Sequence, residues 1–580
     1  MLVNKLESFE KTENGWLLHA DTADALLVFL SDDVVRIRVN FDRKFDEASY
    51  TLVTTAWPDR LDPLFKKERR RITALDIPCE EDEKSLRFKT ATMTLVLLKQ
   101  PFSFKLLDAD GKTLYRDLPE RAFEKDHLGR LSHYSCMDRE KDHFYGFGEK
   151  TGHLDKKLRR LRMSPKDAIG HDPETGDPMY KHIPFYIRVN EDKRQALGLF
   201  YHNSYDCVFD LGQEISGYWE RYCYYQTDGG DIDLFLINGP DMKDVIGRYT
   251  WLTGRTILPT KQSLGYCMST MYYAELEKDC DQEIYKVVDK HLQEEIWIDN
   301  FWLASGYSSG EEDNLRYTFN WNRRRFPDPE GFFAAMNAMG INVICNLKPG
   351  VLKNHPYAKY YEKHDAFIKS ADGTADATGR WWGGEGRFID FTGPRGREAW
   401  KHLLEENILK KGTKTVWNDN CEIDGIEDRL PWCDYEGAKG TMYAENLPCV
   451  RAAYALRYRM LPYLYSLMRE ASRDGLPVMR PLFLEFPDDP ACYSDESLTF
   501  MYGPAVLVAN VVEKGAFWAT VDGEQIPRYL VRDVWEESES GWYYELSDRS
   551  ILVKTPKPKK DSFEIVISTE KFDLIGMADE

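Results

Sequence analysis

The sequence predicts an α/β protein flanked by all-β modules. Residues 1 to about 255 carry short alternating apolar runs broken by Gly, Asp and Pro. From Ser263 the rhythm changes to alternating strand and helix, and beyond Gly475 it turns β again. Strand runs beside βα repeats indicate separate layers or modules rather than one sheet.

In the first segment, Ala25-Leu-Leu-Val-Phe-Leu30, Val34-Val-Arg-Ile-Arg-Val39 and Met93-Thr-Leu-Val-Leu-Leu98 read as strands of a β-sandwich. It ends near Leu252-Thr-Gly-Arg255, before Pro259.

In the second segment Leu264–Met268 reads as a strand. Ile284, Val287, Val288 and Leu292 then fall at helical spacing within 280–294. Ile296–Leu303 is the next strand. Phe332, Phe333, Met336 and Met339 mark a helix closed by Gly340, and Ile341–Leu347 a third strand. Trp400, Leu403, Leu404 and Ile408 mark a helix closed by Gly412, and Thr413–Trp417 a fourth strand. Repeated βα units imply a parallel sheet, either doubly wound or closed as a barrel, with chemistry beyond the carboxyl ends of its strands. Asp419 stands at such a place. Residues 446–472 read as a long helix kinked at Pro462, and the chain from Val478 as one or two small β-modules.

Composition narrows the function. A net charge of −20 and a pI near 5.2 repel phosphate backbones, so nucleic acid is not an expected partner. The basic runs at 66–71 and 554–560 read as solvated loops. No apolar stretch is long enough for a bilayer, and the N-terminus lacks a signal-peptide core, so neither membrane nor export is expected. Eleven cysteines without a CxxC pair suit reduced thiols in a cytoplasm. A homo-oligomer is left open. The 13% aromatic content suits stacking on sugar rings, but composition alone favours burial of aromatics in β-rich cores.

Seven stretches resemble, in order, the motifs of glycoside hydrolase family 31, the α-glucosidase family. They are Tyr145-Gly-Phe-Gly-Glu-Lys150, Asp177-Pro-Met-Tyr-Lys-His-Ile-Pro-Phe-Tyr186, Tyr249-Thr-Trp-Leu-Thr-Gly-Arg255, Phe319–Pro329, Trp417-Asn-Asp-Asn-Cys-Glu422, Arg457–Tyr465 and Met479–Asp488. The resemblance implies an N-terminal β-sandwich (1–255), a (β/α)8-type barrel (256–474) and C-terminal β-modules (475–580). It implies retaining cleavage or transfer of α-linked oligosaccharides or glycosides, with no metal or organic cofactor. The two carboxyl groups of such a mechanism lie roughly 5 Å apart. Asp419 corresponds to the nucleophile. Trp417 and Trp382 match subsite tryptophans, Asp167 a loop reaching over the pocket, and Trp302, Tyr307 and Lys348 further substrate positions.

Four departures stand out. Ala304-Ser305-Gly306 occupies the place of a substrate-binding D-x-D. Lys348 replaces an Asp at the end of the third strand, and Cys421 replaces an Asn of the nucleophile motif. No W-x-G-D, the motif of the acid/base, occurs anywhere in the chain. Four more βα units need on the order of 120 residues, and about two dozen separate Glu422 from the helix at 446. The barrel is therefore expected to be incomplete after residue 425. An internal deletion, a partner that supplies the rest and an omitted segment all fit, and the C-terminal module also reads as shortened after Gly515. Asp424, Glu427, Asp428 and Asp434 are nearby carboxylates that no spacing rule ranks as the acid. A retaining α-glycosidase is the leading reading. A sugar-binding pseudoenzyme is its rival, and a lyase or isomerase on the same architecture stands third.

Overall fold

A computed structural model describes residues 1–65, 69–191, 195–370, 372–381, 383–421, 447–495 and 498–509, with strand segments at 518–521, 524–527, 536–538, 541–543 and 564–567. The chain forms two compact units, Met1–Leu258 with Arg469–Asn510, and Pro259–Met468 with Val511–Glu580.

The first unit is β-rich. Asp24–Ser31 and Val34–Asn40 pair antiparallel inside an eight-stranded sheet that also holds Ile232–Gly239 and Ala196–Tyr201. Two five-stranded sheets accompany it, one running through Met93–Leu98 and the other through Leu131–Cys136. Alternation sends Leu27, Phe29, Val35 and Ile37 into one core with Leu95, Phe104 and Tyr225. Val28, Val34, Phe235 and Ile237 go to a second core, shared with Val245 and Leu252 of the helix Met242–Thr253. Arg36 is also buried, bidentate to Asp233 at 2.7 Å and to Glu47, with Trp57 under its guanidinium. The expected solvated run at 66–71 is corrected at Arg69. Its buried guanidinium pairs with Asp59 and Asp62 and lies over Phe65, partners distant enough that a charge run read alone does not reveal them.

The second unit carries four parallel strands in sequence order: β1 (Cys267–Thr270), β2 (Asn300–Leu303), β3 (Asn342–Leu347) and β4 (Val416–Asn418). Helix α1 (Cys280–Gln293) follows β1 and buries Cys280, Ile284, Val288 and His291 on one face. Helix α2 (Pro329–Ala338) follows β2. Asp328 caps it by accepting from the Gly331 N–H at 3.0 Å, Pro329 opens it, and Gly340 follows it with φ +78°. Helix α3 (Pro394–Asn407) leads through a short 3-10 turn to Gly412, φ +130°, and so to β4. Among the described residues no helix is long and apolar enough to cross a membrane.

Boundaries differ from the sequence reading where local turns intervene. Gln262–Leu264 is a 3-10 turn, so β1 starts at Cys267. Glu295 takes φ +60° and Trp297 is exposed, so β2 starts at Asn300. Pro462 divides the long helix into Leu447–Arg459 and Leu461–Asp474, because it sits where a continuous helix would need its N–H.

Candidate active site

The parity of β3 sorts its two faces. Val343, Cys345 and Leu347 enter the core under the helices. Ile344, Asn346 and, past the strand end, Lys348 therefore belong to the opposite face. Parallel register carries that face to the neighbours, with Trp302 of β2 beside Ile344 and Trp417 of β4 beside Asn346. The two indoles touch, their ring centroids 5.2 Å apart at 59°. Two residues after Trp417, Asp419 lies on the same face.

The end of β3 grips Asp419. The Asp419 N–H donates to the Leu347 carbonyl at 2.9 Å. Its Oδ2 accepts from Asn346 Nδ2 at 2.9 Å and from Lys348 Nζ. Its Oδ1 accepts from the backbone N–H of Asn420 at 3.0 Å. Asn420 sits at φ +46°, a left-handed conformation that Asn tolerates, and its own Oδ1 also accepts from Lys348. The carboxylate obliges the Asn346 amide to present its NH₂ side. That leaves Asn346 Oδ1 buried without a hydrogen-bond partner, as is Trp302 Nε1, among the described residues.

The end of β2 is sealed. Gly306 packs so closely that a Cβ there would come 2.3 Å from the Ala274 carbonyl. No side chain fits where the D-x-D pattern would place its second carboxylate. Arg325 donates to the carbonyls of Leu276 and Gly306 and to Ser309 Oγ at 2.8–2.9 Å. Tyr307, expected at the substrate, is instead fully buried. Its hydroxyl donates to the Asn346 carbonyl at 2.8 Å and its ring packs on Trp321. It braces β3 from behind. Lys348 is likewise buried, its ammonium on Asp419 and Asn420. Asp167 is half-buried in a loop of the other unit. Trp382, Asp424, Glu427, Asp428 and Asp434 lie outside the described residues.

A cavity of about 270 Å³ opens past the ends of β3 and β4, lined by Leu347, Phe388, Phe391, Trp400, Asn418 and Cys421 among others. Leu347 and Asn418 have the parity opposite to Asn346 and Trp417, so this apolar space lies on the helix side of the sheet. Among the described residues no His, Cys, Asp and Glu cluster could hold a metal ion.

Comparison with known proteins bears on this arrangement. Three domain models match in order: the glycosyl hydrolase 31 N-terminal galactose mutarotase-like domain at 25–210, the family 31 TIM-barrel domain at 256–441 and the family 31 C-terminal domain at 475–565. The chain belongs to glycoside hydrolase family 31. It is 27% identical to alpha-glucosidase 2 of Bacillus thermoamyloliquefaciens, over 88% of this chain and 76% of that one. It is 28% identical to an alpha-glucosidase of Saccharolobus solfataricus, over 64% and 73%. Its fold superposes on the Flavobacterium johnsoniae GH31 dextranase with a TM-score of 0.77 at 19% identity, over 98% of this chain and 81% of that one. Family 31 architecture, a β-rich N-terminal domain, a TIM-barrel-type domain and a C-terminal β domain, is thus the fold of this glycoside hydrolase.

Within that family frame, Asn346 and Asn420 are the site residues that sequence reasoning missed. A signal for Asn346 existed: it is a polar residue near the carboxyl end of a mostly apolar strand, where a barrel or doubly wound sheet places its chemistry.

Proposed function

We propose that the chain is an α-glucosidase-like retaining glycosidase of α-linked oligosaccharides or glycosides, with Asp419 as nucleophile, and that it cleaves unactivated sugars only where an acid/base is supplied. The observation that carries this reading is the gripped, partly exposed Asp419 carboxylate beyond the carboxyl end of a parallel strand, beside the Trp302 and Trp417 indoles. The names of the relatives support the α-glycoside as substrate. Catalysis is assigned to residues 256–474, between β-modules at 1–255 and 475–580. Attack by Asp419 on the anomeric carbon would break the glycosidic bond and leave a glycosyl ester, which water then cleaves. The absence of W-x-G-D from the sequence favours a second reading, a sugar-binding protein that keeps this wall without the acid/base.

The two readings separate by mass spectrometry. An activated α-glucosyl fluoride that forms a slow-turning ester should add one glycosyl mass, and peptide mapping should locate it on Asp419. A sugar ester on any other residue overturns the assignment. Saturable sugar binding without any ester favours the second reading.

A further inference from the structure

We propose that Lys348 is a positioning residue for the nucleophile, and that the site consequently takes a neutral rather than an anionic sugar. This rests on the reading of Asp419 given above. A lysine at the end of a barrel strand could meet an acidic group of the substrate. Here the geometry assigns it otherwise.

Lys348 is almost completely buried, and its ammonium bridges Asp419 Oδ2 and Asn420 Oδ1. Asn346, two residues earlier on the same face, donates to the same carboxylate oxygen. Oδ2 thus receives two side-chain donors from the end of β3, while Oδ1, among the described residues, receives the backbone N–H of Asn420 alone. This division fixes the rotation of the carboxylate. Oδ2 is turned into the protein, and Oδ1 keeps lone-pair capacity for an incoming electrophile.

The bridge to Asn420 adds a second constraint, because it ties down the left-handed residue that ends the strand extension. A carboxylate held on one oxygen by a buried cation and an amide is pre-oriented, and misplacement of about 1 Å can cost about 10²-fold in rate. The same bond engages the charge that an anionic sugar would need. An acidic substituent aimed at Lys348 would have to compete with Asp419 itself, which removes the nucleophile from its grip. A neutral glycone avoids that competition.

The test uses the full chain with 5-fluoro-α-D-glucosyl fluoride. In the reacting step Asp419 Oδ1 bonds to C1, the C1–F bond breaks and fluoride departs with the electron pair. No acid is required, so the probe works whether or not an acid/base is present. Intact-mass kinetics at several probe concentrations separate the saturation constant from the first-order rate. Lys348→Met should leave the saturation constant within about 3-fold and lower the first-order rate about 10²-fold. Lys348→Arg should recover part of that rate. The corresponding glucuronyl fluoride should label wild type more slowly than the glucosyl probe, with the ratio unchanged in Lys348→Met. Circular dichroism melting certifies each fold, and Lys348→Gln replaces the Met variant if the latter does not fold.

Equal first-order rates in wild type and variants, with label on Asp419, overturn the part given to Lys348 alone. So does a loss confined to the saturation constant. A glucuronyl preference that disappears in Lys348→Met shows that the lysine reads a substrate anion and overturns the neutral-sugar inference. A wild type that takes label elsewhere, or none, overturns the nucleophile and the role of Lys348 together.

Discussion

Lys348 and Asp419, 71 residues apart in the chain, meet in a salt bridge across adjacent parallel strands, with the lysine side chain 5% exposed and the aspartate 29%. The asymmetry matters because the two charges do not depend on each other equally. Asp419 retains contact with water, whereas Lys348 does not. Removing the partner therefore harms the lysine side more.

Asp419→Ala is expected to destabilise the second unit by about 2 kcal/mol, since it strands a buried cation that the native carboxylate compensates. Asp419→Asn, which keeps an acceptor near Nζ, should cost about 1 kcal/mol or less. Adding Lys348→Met to Asp419→Ala should restore most of the loss. Calorimetric unfolding of the four proteins measures the coupling. Additive effects would mean that the salt bridge contributes nothing to stability. Both Asp419 variants are expected to abolish glycosyl transfer.

How much of this was legible in the sequence follows from what each feature depends on. The βα order that carries β1 to β4 is written in local periodicity and in the closing glycines Gly340 and Gly412, so it was readable, whereas the short helix Ala358–Lys363 and the antiparallel sheet of Gly350–Leu352, Thr378–Trp381 and Gly384–Phe388 between β3 and α3 were missed. Strand starts were less so, because Ile296 and Ile298 are buried before any ladder begins. The motif around Asp419 was legible as a pattern. Its grip by Asn346 and Lys348 was not, since it arises from register between strands separated by a long crossover. The same holds for Tyr307, where an aromatic beside a catalytic strand looks alike whether it faces sugar or core. Arg69 and Arg36 repeat the lesson, for their partners Asp59 and Asp233 cannot be paired with them from spacing.

Asp233 anchors the acid stability of the first unit. Burial alone would raise its carboxyl, but the Arg36 guanidinium, with His202 behind it, reverses the effect and holds it well below the usual carboxylate range. A depressed carboxyl contributes stability that is present above the unfolded value near 3.8 and is lost as pH falls towards the folded value. Asp233→Asn should cost about 3 kcal/mol at pH 7, because Arg36 keeps only Glu47. The gap from wild type should narrow below pH 4. A gap that is independent of pH down to 2 would show that charge is not its source.

His355 sets a separate window in the second unit. It is buried among Tyr317, Tyr357 and Tyr361, and burial pushes its imidazole down to about 4. Its Nδ1 accepts from the Tyr357 N–H at 3.1 Å, and its Nε2 has no partner among the described residues. Between about 4 and 6.5 the unfolded chain binds a proton that the folded chain refuses, so stability rises with pH across that range and is lost as pH falls through it. The expected loss is about 3 kcal/mol, on the order of 1.4 kcal/mol for each unit of separation. His355→Phe should be less stable at pH 7 but flatter between pH 7 and 4.5. Denaturant midpoints at the two pH values give the slopes, and parallel slopes in the two proteins would rule His355 out as their cause.

The last expectation concerns turnover of the 580-residue chain. A retaining glycosidase must protonate the departing oxygen, and general acid catalysis typically supplies roughly 10²–10⁴-fold. Without the W-x-G-D carboxylate, natural disaccharides, whose leaving groups need that proton, should be nearly inert. A nitrophenyl α-glucoside needs none, because nitrophenolate leaves unaided. Attack by Asp419 on C1 should therefore release about one equivalent of nitrophenolate per chain in a burst, since forming the ester expels the aryl oxygen and occupies the nucleophile. The ester should then persist, because no base activates water against it. Azide carries its own negative charge and needs no base, so it should restart turnover and yield an α-glucosyl azide. Stopped assays with and without azide read each step. Brisk hydrolysis of an unactivated disaccharide would defeat this expectation and assign the acid to a partner chain or to another carboxylate of this one, Asp424, Glu427, Asp428 and Asp434 being the first to replace with their amides.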